Sequence, residues 1–186
     1  MALTPSNMLP LGTQAPDFSL PDVVSGKMMS LKDIQSSEAT VVMFICNHCP
    51  YVIHVNSELV RIANDYLPKG VMFVAISSND VEHYPDDAPD KMQEVAAREQ
   101  YPFPYLYDET QAVARAYAAA CTPDFYVFDG AMLLVYRGRL DGSRPNSGIL
   151  TTGADLRAAL DAVLQQQPIS EVQYPSMGCN IKWKKM

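Results

Sequence analysis

The sequence predicts an α/β protein with a central mixed β-sheet and helices on both faces of the sheet. Two continuous apolar runs, 40–45 and 71–76, have the β-branched composition of strands that are buried on both sides. A segment with apolar residues at helical spacing, 51–66, follows the first run. Because parallel strands need a crossover connection of this length, we expect the two runs to lie parallel at the centre of the sheet.

The N-terminal segment predicts a β-hairpin that extends the central fold. Residues 1–16 show no regular pattern and predict an irregular lead-in. Two short segments, 17–20 and 27–31, then flank a turn at Ser25-Gly26, which is typical of a hairpin. We therefore expect two antiparallel strands before the first buried strand of the sheet.

The region after the second apolar run predicts a loop and then a helix. Proline and aspartate are concentrated in residues 84–90, and the acidic side chains of Asp86, Asp87 and Asp90 predict a solvent-exposed loop. Apolar residues at helical spacing indicate a helix near 89–100.

The second half of the chain predicts an edge strand, a β-hairpin and two further helices. Asp129-Gly130 is a strong hairpin turn, so the strands on either side should be antiparallel. We find no internal repeat or long linker, and expect one domain over 1–186 with 167–186 as a C-terminal tail. The predicted elements are an edge strand at 104–107, a helix near 109–119, hairpin strands at 125–128 and 132–139, and a last helix near 153–166.

The composition argues against several classes of partner. The 186 residues carry 14 basic and 21 acidic side chains, a net charge of −7, and no basic stripe apart from the short run 182–185, so no nucleic acid is expected as a partner. No apolar run reaches the length of about 20 residues that spans a bilayer, so no membrane association is expected. The N-terminus begins with Met1 and lacks the features of a secretory signal, and we expect a cytoplasmic protein.

A Cys-Asn-His-Cys-Pro motif at 46–50 lies where the first buried strand meets its helix. Thiols at a helix N-terminus feel the positive end of the helix dipole, which favours the reactive thiolate. Cys46 and Cys49 can form a disulfide across one helical turn. In a reducing compartment such a pair is more typical of catalysis or metal binding than of a structural disulfide, and we interpret it as a thiol–disulfide exchange site.

The order of the two cysteines predicts their roles. Cys46 precedes the helix and should be the more exposed thiol, so we expect it to be the nucleophile. Cys49 should lie inside the first helical turn and resolve the mixed disulfide. His48, between them, would stabilise a neighbouring thiolate if it is protonated, or would otherwise be an exposed residue at the helix start.

Four further residues are candidates for the same site. Thr122 and Pro123 could position the backbone of a substrate beside the dithiol, or could simply end a helix. Cys121 could approach the dithiol as a third thiol, although a small buried apolar side chain is the simpler interpretation. Cys179 follows Gly178 in the tail and could fold back as a third thiol or serve in packing.

The motif and its context resemble the thioredoxin-like superfamily over roughly residues 10–183. A Cys-x-x-Cys pair at a strand–helix junction, with Thr-Pro before a later strand and hairpin, is similar to the arrangement in that superfamily. The segment Ala-Pro-Asp-Phe-Ser-Leu at 15–20 resembles the start of its redoxin and peroxiredoxin branch. The segments Cys-Asn-His-Cys-Pro-Tyr-Val at 46–52, Thr-Pro-Asp-Phe at 122–125 and Gly-Cys-Asn-Ile-Lys-Trp at 178–183 resemble a bacterial group of thioredoxin-like thiol–disulfide isomerases.

The resemblance implies a thioredoxin-like fold and a thiol–disulfide oxidoreductase. It implies that Pro123 follows a cis peptide bond and faces the dithiol, and proline is nearly the only residue that permits such a bond. It also implies that Cys46 and Cys49 exchange disulfides with a protein or a small-molecule thiol, without an organic cofactor or a bound metal. The physiological partner, the direction of exchange and the oligomeric state stay open.

Three alternatives to the oxidoreductase stay open. Peroxiredoxins carry Pro-x-x-x-[Thr/Ser]-x-x-Cys, but counting back from Cys49 places Cys46 at the Thr/Ser position and Val42 at the proline position. A thiol peroxidase, in which Cys49 or Cys46 attacks peroxide, is therefore an alternative that lacks the motif. A metal-binding module is the second, with Cys46, His48, Cys49 and Cys179 as ligands for zinc or copper(I). A redox-inert adaptor with the same fold is the third.

Overall fold

The computed structural model describes residues 3–185, which contain ten strands and five α-helices. The strands are β1 Leu3–Pro5, β2 Ser19–Pro21, β3 Met28–Ser30, β4 Ala39–Phe44, β5 Val71–Ser77, β6 Tyr105–Tyr107, β7 Cys121–Thr122, β8 Asp124–Asp129, β9 Leu134–Gly138 and β10 Met177–Asn180. The α-helices are α1 Leu31–Ile34, α2 Pro50–Tyr66, α3 Pro89–Glu99, α4 Ala112–Ala116 and α5 Ala154–Leu164. Single turns of 3₁₀ helix occur at Leu67–Lys69 and Pro85–Asp87.

Five of the strands form the central mixed sheet, in the order β6-β5-β4-β8-β9. β4 lies at the centre, and all six of its residues are buried, as its continuous apolar sequence predicts. It pairs parallel with β5 and antiparallel with β8, and β6 is an edge strand parallel to β5. The predicted parallel centre, the edge strand and the antiparallel hairpin of β8 and β9 are confirmed.

Helices cover both faces of the central sheet, as predicted. Alternate residues of β4 point to opposite faces, so Val41 and Met43 contact one core cluster while Val42 and Phe44 contact the other. The first cluster is closed by α2, α3 and α5, and the second by α1, α4 and the predicted hairpin of β2 and β3. Within residues 3–185, no helix has the length and apolar composition needed to cross a membrane.

Three predicted segments differ in the structure. The helix predicted over 109–119 is reduced to α4, because Gln111 and Ala118 adopt left-handed φ values of 63° and 50° and limit it at both ends. The lead-in predicted as irregular contains β1, and the predicted tail contains β10. The first two residues of the lead-in and Met186 of the tail lie outside the described residues.

β1 and β10 form a second sheet with β7, which the sequence did not predict. β10 lies in the middle of this sheet, and its register places Cys179 opposite both Leu3 and Thr122. Gly178 permits this close pairing, because a Cβ atom at that position would overlap the carbonyl oxygen of Thr122. The second sheet therefore holds the C-terminal segment against the loop that contains Pro123.

We expect Gly178→Ala to destabilise the protein by about 2 kcal/mol, within the range for overpacked interior sites. The added methyl group must push β10 away from the carbonyl oxygen of Thr122. Chemical denaturation followed by circular dichroism measures the loss. Gly142→Ala is the matched control, because the atom nearest to its added Cβ is a terminal nitrogen of Arg139, 3.6 Å away. Equal stability of the two variants would contradict the tight contact between β7 and β10.

Candidate active site

The two motif cysteines lie at the junction between β4 and α2. Cys49 is the N-cap of α2, because Pro50 occupies the first helical position, where its missing N–H group is not needed. Cys46 and Cys49 are 2% and 0% exposed, respectively. Two expectations are therefore wrong, since Cys49 precedes the first helical turn instead of lying inside it, and exposure does not mark Cys46 as the nucleophile.

Thr122 contacts both sulfur atoms. Its hydroxyl oxygen lies 3.3 Å from Sγ of Cys46, and its carbonyl oxygen lies 3.3 Å from Sγ of Cys49. The peptide bond between Thr122 and Pro123 is cis, and the hydroxyl group of Ser176 donates to the carbonyl oxygen of Pro123 at 2.6 Å. The predicted cis bond beside the dithiol is confirmed, while the substrate-positioning role of Thr122 and Pro123 stays a prediction.

Cys49 has several hydrogen-bond donors around its sulfur atom. The thiol of Cys46 is the largest influence, and its hydrogen bond lowers the pKa of Cys49 to about 5. Burial opposes this shift, while the thiol of Cys179 and the backbone N–H groups of Val52 and Cys179 reinforce it. The carbonyl oxygen of Thr122 is an acceptor and favours only the protonated thiol. The donors outweigh this acceptor, so Cys49 is a thiolate at neutral pH.

Cys46 holds the proton of the pair. Its hydrogen bond to Cys49, its burial and the charge of Asp87, in that order, raise the pKa of Cys46 well above the ordinary value for a thiol. The hydroxyl group of Thr122 acts in the opposite direction but does not reverse the shift. In the reduced protein the negative charge is therefore on Cys49, whereas the order of the residues in the sequence suggested Cys46.

We expect one cysteine of the reduced protein to titrate with an apparent pKa of about 5. The thiolate absorbance in the ultraviolet should persist from neutral pH down to that value and disappear as Cys49 takes up a proton below it. In Cys46→Ala the transition should move to higher pH, because the largest donor to Cys49 is gone. Cys121→Ala is the control and should leave the transition unchanged. A wild-type titration with thiolate forming only near the ordinary thiol pKa of about 8.5 would contradict this assignment.

Asp87 connects the motif to the loop at 84–90. It is fully buried, and its Oδ1 atom accepts the backbone N–H of Asn47 at 2.8 Å. Its Oδ2 atom accepts a hydrogen bond from Nδ2 of Asn79 at 2.7 Å and lies 2.7 Å from Nδ1 of His48. Burial alone would raise the pKa of Asp87, but His48 and the two asparagines outweigh it and lower that pKa.

The sequence does not mark Asp87 as a positioning residue. The loop at 84–90 was predicted to be solvent-exposed, which is correct for Asp86 and wrong for Asp87. Both aspartates lie in the same polar, proline-rich context, so no local pattern separates them. The available signal was indirect, because the polar residues Asn47 and His48 between two buried thiols require buried hydrogen-bond partners.

His48 lies between Asp87 and Tyr84. Its side chain is 20% exposed, and its ring stacks on that of Tyr84 with 5.8 Å between the centroids. The hydrogen bond with Asp87 is the largest influence and raises the pKa of His48, against the effect of burial. The charge of Cys49 acts in the same direction as Asp87. This arrangement supports the interpretation of His48 as a thiolate-stabilising residue, which stays a prediction.

The structure brings one of the two candidate third thiols to the dithiol. Cys179 contacts the sulfur of Cys49, and burial, followed by that contact, raises the pKa of Cys179 to about 12. Cys121 is fully buried, and its thiol donates to the carbonyl oxygen of Pro123 at 3.8 Å. Burial also raises the pKa of Cys121 far above its ordinary value. Cys121 is thus the small buried side chain of the simpler interpretation.

A buried ion pair lies directly after Pro123. Asp124 is fully buried, and its Oδ2 atom accepts a hydrogen bond from the hydroxyl group of Tyr126 at 3.0 Å. The same oxygen lies 3.9 Å from Nη2 of Arg137, which is also fully buried. Burial raises the pKa of Asp124 to about 7, although Arg137 acts to lower it. The pair was not predicted from the sequence, where its signal is the presence of Asp124 and Arg137 within the largely apolar strands β8 and β9.

The structure changes the ligand set of the metal-binding alternative. One ligand atom from each of Cys46, His48 and Asp87 lies within 4.8 Å of the other two, and this group includes neither Cys49 nor Cys179. Both oxygen atoms of Asp87 already accept hydrogen bonds, which would compete with a metal ion. The four-residue ligand set that the sequence suggested is therefore not the group that the fold assembles.

The model of the AhpC/TSA family matches residues 11–137 of the chain. The chain belongs to the AhpC/TSA family. The matched region contains both motif cysteines, the cis peptide bond before Pro123 and Asp87. Among proteins with curated functions, none matches this chain.

Solved structures establish the fold of this AhpC/TSA family member. An uncharacterised conserved protein from Geobacillus kaustophilus is 62% identical, with a TM-score of 0.99 over 100% of this chain and 98% of that chain. The thioredoxin domain of a thiol-disulfide oxidoreductase from Bacteroides vulgatus is 17% identical, with a TM-score of 0.60 over 70% of this chain and 89% of that chain. A peroxidoxin from Mycobacterium tuberculosis is 19% identical, with a TM-score of 0.63 over 86% of this chain and 98% of that chain. The predicted thioredoxin-like fold is confirmed.

Proposed function

We propose that the protein is a thiol–disulfide oxidoreductase that exchanges disulfides with a protein or a small-molecule thiol through Cys46 and Cys49. The observation that carries this proposal is the placement of both thiols at the N-terminus of α2, in contact with Thr122 of the cis peptide bond. Cys49 is a thiolate at a helix N-terminus and accepts a hydrogen bond from the thiol of Cys46. A preformed thiolate next to a second thiol is the minimum that disulfide exchange requires.

The two cysteines divide the reaction between them. Cys46 precedes the N-cap of α2 and attacks the disulfide of the partner after passing its proton to Cys49 along their hydrogen bond. The first partner thiolate leaves and takes that proton from Cys49. Cys49 then attacks the sulfur of Cys46, the mixed disulfide breaks, and the second partner thiolate leaves and is protonated from solvent. Oxidation of Cys46 and Cys49 to a disulfide supplies the two electrons that reduce the partner disulfide to two thiols.

A thiol peroxidase is the second candidate, favoured by the low pKa of Cys49 at the helix N-terminus. In that reaction Cys49 attacks one oxygen of a peroxide, the O–O bond breaks, and Cys49 becomes a sulfenic acid, while the second oxygen takes a proton from solvent and leaves as water or an alcohol. Cys46 then attacks the sulfenic acid, water leaves, and the same Cys46–Cys49 disulfide forms. The two candidates therefore differ in the oxidant and in the first cysteine to react.

The test compares turnover of a protein disulfide and of hydrogen peroxide by the same preparation, with dithiothreitol as the reductant. We expect the wild type and Cys121→Ala to accelerate reduction of the protein disulfide, and Cys46→Ser to lose this acceleration. Hydrogen peroxide consumption that requires Cys49, together with no acceleration of protein disulfide reduction, would contradict the oxidoreductase and support the peroxidase.

A further inference from the structure

We infer that Cys179 is a third reacting thiol, which takes over the disulfide from Cys46 by forming a Cys49–Cys179 disulfide. This inference rests on the proposed function, because it requires that Cys49 first forms a disulfide with Cys46. Cys49 is then shared by two alternative disulfides, Cys46–Cys49 and Cys49–Cys179.

The fold delivers Cys179 to Cys49 through β10. Residue 179 lies opposite Thr122 in the pairing of β10 with β7, and the carbonyl oxygen of Thr122 lies 3.3 Å from Sγ of Cys49. The thiol of Cys179 contacts the sulfur of Cys49, and both residues belong to the same core cluster as Cys46. Gly178 allows the close approach of the strands, since any side chain there would overlap the Thr122 carbonyl group. Cys179 is therefore held against the dithiol by an ordered strand.

Cys121 shows that burial near the site is not sufficient for this role. It is adjacent to Thr122 in the sequence, yet its position in β7 pairs with Asn180 instead of Cys179. Its thiol donates to the carbonyl oxygen of Pro123, and not to either sulfur of the dithiol. Cys121 is therefore a matched internal control for Cys179, being a buried thiol on the same small sheet with a different contact.

The proposed step is an internal thiol–disulfide exchange. Cys179 loses its proton, and its sulfur attacks the sulfur of Cys49 within the Cys46–Cys49 disulfide. The bond between Cys46 and Cys49 breaks, the bond between Cys49 and Cys179 forms, and the leaving thiolate of Cys46 takes up the proton that Cys179 released. No net oxidation or reduction occurs, so the step needs no further reagent.

The exchange leaves Cys46 as a free thiol while the protein keeps a disulfide between two other cysteines. After it, Cys46 is again a thiol, while the oxidised pair consists of Cys49 and Cys179, which are 0% and 5% exposed. The Cys49–Cys179 disulfide breaks when Cys46 attacks the sulfur of Cys49, which releases the thiol of Cys179 and restores the Cys46–Cys49 disulfide. Cys179 thus gives the oxidised protein a second form in which Cys46 is free.

The test traps each disulfide with cysteine variants of the full chain. Cys46→Ser is oxidised with glutathione disulfide, free thiols are alkylated under denaturing conditions, and the disulfides are mapped by mass spectrometry. We expect Cys49 to form a mixed disulfide with glutathione, which Cys179 then attacks, releasing glutathione and leaving a Cys49–Cys179 disulfide. The double variant Cys46→Ser/Cys179→Ser should lose this disulfide and keep the glutathione adduct. The matched double variant Cys46→Ser/Cys121→Ala should retain the disulfide.

Each outcome bears on the inference separately from the proposed function. A folded Cys46→Ser variant in which Cys179 stays a free thiol, with or without a glutathione adduct at Cys49, would overturn the inference. The proposed function is judged in Cys179→Ser, where a reversible Cys46–Cys49 disulfide supports it and the absence of that disulfide contradicts it. If circular dichroism shows that Cys46→Ser is unfolded, the oxidised wild type decides, since a peptide joining Cys49 to Cys179 supports the inference and its absence refutes it.

Discussion

Replacing Cys49 by serine is expected to lower the rate of protein disulfide reduction by at least about 10³-fold, as loss of a reacting group does in other enzymes. The variant keeps the thiol of Cys46 but loses the thiolate that resolves the mixed disulfide. Cys46 should therefore remain attached to the partner, and mass spectrometry of the reaction mixture should show this adduct accumulating. In the wild type we expect the adduct to be short-lived, because Cys49 should attack it.

Cys121→Ala is the control for this prediction. Cys121 is a buried thiol like Cys49, but it contacts the carbonyl oxygen of Pro123 and not the dithiol. The control should keep wild-type activity and form no stable adduct. Activity in Cys49→Ser equal to that of the control would show that Cys46 works without its neighbour, and would contradict the division of roles between the two cysteines.

Replacing Asp87 by asparagine is expected to destabilise the protein by about 3 kcal/mol, the scale of a broken buried ion pair. Both oxygen atoms of Asp87 accept hydrogen bonds from N–H groups of Asn47 and Asn79. In the variant the side-chain NH₂ group replaces one of these oxygens, so a buried donor faces another donor. The pKa of His48 should fall in the variant, because the hydrogen bond with Asp87 is the largest influence that raises it. Urea denaturation and nuclear magnetic resonance titration of His48 measure the two effects.

The destabilisation by Asp87→Asn should depend on pH. Asp87 has a lowered pKa in the folded protein, so its contribution is present above its ordinary pKa and is lost as the pH falls through the folded value. His48 has a raised pKa, so its contribution is full below its ordinary pKa and is lost as the pH rises through the folded value. The difference between wild type and variant should therefore be largest between about pH 4 and pH 6.5.

Asp86→Asn is the matched control for Asp87→Asn. It removes the same charge from the adjacent residue, whose side chain is exposed. The side chain of Asn47 donates to the backbone oxygen of Asp86, so the carboxylate of Asp86 is not needed for this hydrogen bond. Its stability should be within about 0.5 kcal/mol of wild type, as for other surface substitutions. Two variants with equal stability and equal pKa values for His48 would show that Asp87 does not position the motif.

The parts of the molecule that the sequence predicted are those with a local pattern. β4 and α2 have continuous or periodic apolar residues, and the Cys-x-x-Cys spacing at their junction is visible without a structure. The same holds for the hairpin of β8 and β9, which has a strong turn at Asp129-Gly130. In each case neighbouring residues carry the information.

The parts that it did not predict depend on contacts between distant residues. β10 has only four residues, and its partners β1 and β7 lie far away in the sequence, so no alternation marks it as a strand. The burial of Asp87 depends on Asn47 and Asn79, which approach it only in the folded chain. The location of the thiolate likewise depends on the donors around Cys49, one of which is Cys179, 130 residues away.

The most direct measurement is a redox titration of the wild type in glutathione buffers, with alkylation and mapping of every disulfide by mass spectrometry. The proposed function predicts a reversible transition in which Cys49 enters a disulfide, and at least a fraction of the molecules should carry the Cys46–Cys49 disulfide. If Cys179 reacts as inferred, the rest of the oxidised protein contains a Cys49–Cys179 disulfide. A titration in which Cys46 and Cys49 stay reduced, or never form a disulfide with each other, would contradict the oxidoreductase.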